Sequence, residues 1–350
     1  MTQTNSKGLP WLTDLRVWAS FGIVVLHVSA IVIAFSPNRE SLNWWVANVA
    51  DSSVRWCVPA FVMISGALLL DPSRAESPWH FYRRRAVRIL IPTAFWSAFY
   101  LILPALLGDP LGWRDVIHRL LIGMPQYHLW YLYMITVLYL FTPFLRVYVA
   151  AASRRNQWAL IAILMTAAGC QVILETFGGY SSSRTVFTLF IPFLGYYLCG
   201  FQLRRTESVR FSVVSLAVAI IAAVSVTAIG TKALVARLGN LSAGLYLYEP
   251  LSPTVIAMSI AIFLLFREVG RDRAPRGSFW AGLSDQLSPL TLGIYVVHPF
   301  VILLLTKLGW GVGAWGSALE VPLLSAVVFG LSAAMVAVLI RVPILDRTVG

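Results

Sequence analysis

Ten stretches of the chain stay apolar long enough to cross a hydrocarbon core, which takes ~17–25 residues. They run Val17–Phe35, Arg55–Leu70, Ile89–Leu107, Leu129–Leu145, Trp158–Leu174, Thr185–Leu203, Phe211–Gly230, Leu241–Phe266, Pro289–Thr306 and Val321–Ile340. Short polar segments separate them. The pattern predicts an all-α integral membrane protein, a bundle of about ten transmembrane helices. The second stretch is short, and the eighth is long and carries Glu249 in its middle. The first could pass for a signal peptide, with "VSA" (Val28 to Ala30) as the cleavage site. Its apolar run continues past Ala30 and nine more stretches follow, which argues for a retained span.

Composition agrees with that reading. Of 350 residues, 58% are hydrophobic and only 12% charged, more apolar surface than a soluble domain could hide. No internal repeat or low-complexity tract appears. The longest polar gap, Arg267 to Gln286, is too short for a second domain. Residues 1–350 therefore read as one transmembrane domain, and any chemistry must occur within the bundle or at its mouths. Cys57, Cys170 and Cys199 lie in or beside apolar runs without ligand spacing, so no metal site or disulfide framework is expected.

A net charge of +12 raises the question of nucleic acid, but the basic residues fall in short clusters between apolar runs, not along a stripe interleaved with aromatics. They report topology instead. With a cytoplasmic N-terminus, nineteen of the 27 Lys and Arg lie inside and eight outside, and every inside loop is richer than its outside neighbours. Both termini are then expected in the cytoplasm.

Depth singles out a few polar side chains. His27 follows Arg16 by eleven residues, which turns 1100° and returns to the same helix face, about 16 Å further along the axis. Arg16 lies at the cytoplasmic mouth and His27 near the midplane, where an ionisable group is a functional candidate before it is a packing residue. In "LGIYVVHPF" (Leu292 to Phe300), His298 reaches a similar depth, with Tyr295 one turn before it and Pro299 after it. It is either a second functional group or a packing histidine beside a proline kink. In "FYRRRAVRILIP" (Phe81 to Pro92), Arg85 and Arg88 project from one face at the cytoplasmic start of the third stretch. Paired guanidiniums suit phosphate, because each offers a fork of donors that stays charged. Arg83 and Arg84 need no role beyond anchoring. His128, in "HLWYLYMI" (His128 to Ile135), opens the fourth stretch from the outer side and could line an outward mouth. Glu249, with Pro250 and Pro253, points to a broken helix beside a wet cavity.

The recognisable hydrolase, phosphate-loop and metal motifs are missing: there is no G-x-S-x-G, Walker loop, H-E-x-x-H or G-x-G-x-x-G. The ordered set of motifs nevertheless resembles a family. Arg16 and His27 in a "D-L-R…H" opening span, "PAFVMISGALLL" (Pro59 to Leu70), "RRRAVRILIP", "HLWYLYMITVLYLFTPFLR" (His128 to Arg146) and "GIYVVHP" together resemble the integral-membrane acyltransferase-3 family, in its short members without a C-terminal esterase-like domain. The resemblance implies transfer of an acyl group, usually acetyl from acetyl-CoA, to cell-surface carbohydrate. It matches the family's essential arginine and histidine to Arg16 and His27, and its R-x-x-R to Arg85 and Arg88. Asp14 stands two residues before Arg16, where many members have three, which puts a role for Asp14 in doubt.

The expected mechanism joins both lines. Arg85, Arg88 and Arg16 would hold the phosphates of cytoplasmic acetyl-CoA as co-substrate, with no permanently bound cofactor. The pantetheine arm would reach His27, which would take the proton from an acceptor hydroxyl or form an acyl-histidine. The acceptor would be a sugar of an exopolysaccharide or lipopolysaccharide, or its lipid-linked precursor, arriving past His128 and Glu249. Localisation in a bacterial inner membrane, beside polysaccharide biosynthesis proteins, would follow. One rival is a proton-coupled transporter or flippase of lipid-linked sugars, with His27, Glu249 and His298 as relay. It lacks the paired broken spans in corresponding halves that such folds carry. Another is a succinyl or other acyl transferase of the same family.

Overall fold

A computed structural model describes residues 9–73, 76–180, 185–206, 209–271, 279–311 and 318–350. Lys7, Arg74, Arg184, Arg273 and Arg276, which contribute to the charge argument, lie outside the described residues. Among the described residues there are helices and no strands, and nine helical stretches are long and apolar enough to cross a membrane. The chain is an integral membrane protein.

The first span is α1 (Pro10–Phe35), started by a proline in its first turn, where the missing N–H costs nothing. The second is split into α2 (Leu42–Val54) and α3 (Cys57–Leu69), and Ser41 caps α2 by accepting from the Trp44 N–H. The third begins as α4 (Pro78–Arg85), widens into a π turn at Ala86–Leu90 and continues as α5 (Ile91–Leu106). A short amphipathic helix, α6 (Trp113–Leu121), precedes α7 (Trp130–Ala151) and α8 (Arg154–Phe177). After α9 (Leu194–Arg205) come α10 (Val213–Leu238), closed by Gly239 in the left-handed conformation, and the one-turn helix α11 (Leu241–Gly244). A 3-10 turn at Leu245–Tyr248 and a bend then lead into α12 (Pro253–Arg271). Finally α13 (Phe279–Leu287) turns into α14 (Thr291–Lys307), and α15 (Glu320–Leu339) closes the bundle.

Two stretches differ from the apolar pattern. The stretch Thr185–Leu203 yields only the short helix α9, preceded by a 3-10 turn at Ile191–Phe193 that contains Pro192. Every residue from Gly195 to Leu203 is buried, so α9 is wrapped by protein and has no lipid-facing side. It lies so close to α3 that a Cβ at Gly66 would overlap the Tyr197 carbonyl, and one at Gly200 would overlap the backbone of Met63. Small residues permit such approach in membrane bundles. The second span also begins well before Arg55, at Leu42, which places Arg55 between α2 and α3 and not at the end of a loop.

Candidate functional site: an arginine-lined cavity beside three histidines

A cavity of about 360 Å³ opens between α1, α3, the π turn, α7 and α14. Arg16, Arg85 and Arg88 line it together with Ser65, Tyr131, Tyr139 and Tyr295, and no carboxylate is among the lining residues. The expected grouping of Arg16 with the R-x-x-R pair is thus found in the fold. The π turn that begins just after Arg85 widens the helix at this place, a distortion often found at functional sites. Arg85 is half-buried, with its guanidinium over the rings of Phe81 and Tyr139 at 5.7 and 5.8 Å, and its buried Nε has no hydrogen-bond partner. Arg16 lies within electrostatic reach of both Arg88 and Arg85. None of the three forms an ion pair among the described residues. Like charges gathered around one space repel, and an anion placed there relieves the repulsion.

His27, His298 and His128 meet in one cluster. The His27 ring stacks on His298 with centroids 5.1 Å apart and planes 23° apart, and it touches the ring of Tyr127 at 4.8 Å. His128 packs edge-on against His298 at 5.5 Å and against Tyr100 at 5.1 Å. The Tyr295 hydroxyl donates to the His128 carbonyl, while its ring touches both buried histidines. His298 Nδ1 lies 3.2 Å from the Ile294 carbonyl. A carbonyl only accepts, so Nδ1 carries the proton and Nε2, buried without a partner, is a free acceptor in the neutral ring. Stacked planes do not aim the N–H of one ring at the nitrogen of the other, so His27 keeps its nitrogens for another partner. His27 is half-buried and Tyr127 is 42% exposed, so this side of the cluster has an opening.

Glu249 lies elsewhere. It is exposed on the bend between the 3-10 turn and α12, and the break expected from Pro250 and Pro253 is present. Neighbours on that bend face α2 and α9: Tyr248 hydrogen-bonds Asn48, and the Pro250 carbonyl accepts from Tyr196 at 2.5 Å. Sequence reasoning missed the buried ion pair of Asp51 with Arg55 next to it. Arg55 also donates to the Tyr248 carbonyl at 3.3 Å and stacks 4.0 Å over the Tyr248 ring. The i, i+4 spacing of an acid and a base within "VADSSVRW" (Val49 to Trp56) was the available signal. Ser65, paired with Tyr139 at 3.0 Å on the cavity wall, carried no such signal.

Among families of known proteins, one described as an acyltransferase domain matches residues 9–341, nearly the whole chain, as the ordered motifs led us to expect. Comparison with curated proteins and with solved structures returned no match.

Proposed function

We infer that this chain, which belongs to the acyltransferase family matched over residues 9–341, moves acetyl from cytoplasmic acetyl-CoA to a hydroxyl of a cell-surface polysaccharide or its lipid-linked precursor. The observation that carries this reading is a cavity with three arginines, no carboxylate among its described lining residues, and a wall residue, Tyr295, that touches two histidines. Arg85, Arg88 and Arg16 bind the nucleotide phosphates, which concentrate the donor's charge. The pantetheine arm then lies along the tyrosine-lined wall toward His27. The acceptor comes to His27 from the side of Tyr127.

At His27 the acceptor oxygen attacks the thioester carbon while the imidazole takes the hydroxyl proton. The C–S bond breaks as the ester C–O bond forms, and the proton passes to the departing sulfur, so CoA leaves as the thiol. His298 stacks on His27 and fixes its ring plane; Tyr295 anchors the backbone at His128. A bacterial inner membrane, where cytoplasmic donor and outward-facing glycan meet, is the setting this chemistry fits.

The test is acetyl-labelled acetyl-CoA added to membranes that contain the protein, with label followed into glycan. Transfer that requires His27 supports the reading. Movement of lipid-linked sugar with no label in glycan would replace it with a transporter. Labelling from succinyl-CoA and not from acetyl-CoA would change the donor and keep the site.

A further inference from the structure

None of the three histidines lines the cavity, whereas Tyr295 lines it and also touches His128 and His298. Tyr131 stands opposite, with ring centroids 5.5 Å apart and planes at 67°. At that separation the two rings are in edge-to-face contact. Both are held in place. Tyr295 is buried and its hydroxyl is bonded to the His128 carbonyl, while Tyr131 projects from the first turn of α7 against Phe61 at 6.0 Å. The cavity wall also includes Ile64 and Leu132, buried at 2% and 0% exposure.

We propose that Tyr131 and Tyr295 form a septum that selects the donor's acyl group by size. The proposal rests on the donor reading above, and it adds which acyl groups pass. A small acyl group on the pantetheine sulfur reaches His27 by a modest displacement of one ring. Each further methylene must lie between two rings that already touch, which overpacks a filled space. The acyl specificity is thus set by the contact of α7 with α14, remote from the arginines that hold the common CoA body.

The experiment measures binding of CoA, acetyl-CoA, butanoyl-CoA and octanoyl-CoA to the full-length protein purified in detergent. The same series is run on Tyr131→Ala, Tyr131→Leu and Tyr295→Phe. In the wild type, acetyl-CoA should bind like CoA, and octanoyl-CoA about tenfold or more weaker. Either Tyr131 variant should bring octanoyl-CoA within about threefold of acetyl-CoA, each variant being judged by its own ratio. Tyr295→Phe, which releases the hydroxyl from the His128 carbonyl, should move the ratio in the same direction by less. Wild-type protein that binds octanoyl-CoA as tightly as acetyl-CoA overturns the septum and leaves the donor site standing. So does an unchanged ratio in whichever Tyr131 variant folds. If CoA and all its thioesters fail to bind, the donor reading itself falls, and the septum's role falls with it.

Discussion

Replacing Arg85 by alanine is the sharpest probe of the donor site, because this guanidinium differs from its neighbours in surroundings and not only in position. Arg83 and Arg84 are exposed and outside the cavity, whereas Arg85 is half-buried, lines the cavity and holds a buried Nε with no partner. A charge-assisted contact to phosphate at such a site contributes on the order of 1.5–3 kcal/mol, so Arg85→Ala should weaken CoA about ten- to a hundredfold. Arg88 also lines the cavity but is exposed, where solvent and salt screen it, so Arg88→Ala should cost only about two- to fivefold. Arg85→Lys keeps the charge and loses the fork, and should recover part of the loss. Free CoA and acetyl-CoA should be affected alike, since both carry the same phosphates. The assay is calorimetric titration of both ligands into detergent-purified wild type and the Arg83→Ala, Arg85→Ala, Arg85→Lys and Arg88→Ala variants. Thermal melts of each variant separate lost binding from lost packing of Arg85 on Phe81. If Arg85→Ala and Arg83→Ala behave alike in folded protein, the arginines mark topology only and the cavity does not hold the donor.

Four further outcomes are expected. His27→Ala should lose about 10²–10⁴-fold in acyl transfer while still binding CoA, as radiolabel transfer and titration of the same preparation will show. Asp51→Asn breaks the pair with Arg55 inside the bundle and should destabilise the protein by about 3–5 kcal/mol, read as a lowered melting temperature in detergent. Gly66→Val places side-chain atoms against the Tyr197 carbonyl and should shift the protein toward aggregate on size-exclusion chromatography, while Gly282→Ala, with open space around it, should not. A reporter fused after Gly350 should be cytoplasmic and one inserted near Gly178 external, which requires the stretch Thr185–Leu203 with its short α9 to make a tenth crossing inside the bundle; an external C-terminus would leave nine crossings and overturn the depth argument.

What the sequence made legible follows from what a local pattern can encode. Arg16 and His27 share a face because helical periodicity is a property of one segment, and the three-residue spacing of Arg85 and Arg88 likewise put both on the cavity. The π turn that follows Arg85 and contains Arg88 was not legible, since a single i→i+5 turn leaves the apolar pattern intact. The similar depth of His27 and His298 could be counted along each span, but that α1 and α14 are neighbours, and that His128 joins them, depends on the packing of the whole bundle. Hydropathy also cannot distinguish a segment wrapped in protein from one wrapped in lipid, so the short α9 read as a full span. Around Asp51 and Arg55 the error ran the other way. The polar residues of α2 diluted its apolar character, and the span was read as beginning at Arg55.

Hydrogen-bond accounting separates structural arginines from the ones available to a ligand. Backbone that leaves helical geometry at membrane depth survives only where its polar groups find partners within the protein. The break between α2 and α3 and the bend before α12 supply each other: Arg55 satisfies the Tyr248 carbonyl, and Asn48 meets the Tyr248 hydroxyl. Arg146 closes the end of α3 by donating to the Leu69 carbonyl at 2.7 Å and to Glu76 at 3.1 Å. Arg267 does the same for the chain after α9, through the carbonyls of Leu203, Thr206 and Val209 and the carboxylate of Glu268. These cations are consumed by the fold. Around the cavity the accounting stays open, because Arg16, Arg85 and Arg88 have no acid among the described residues and Arg85 buries a donor without an acceptor. A buried donor left unmade costs about 1–3 kcal/mol, and an anion at the cavity mouth would recover that amount.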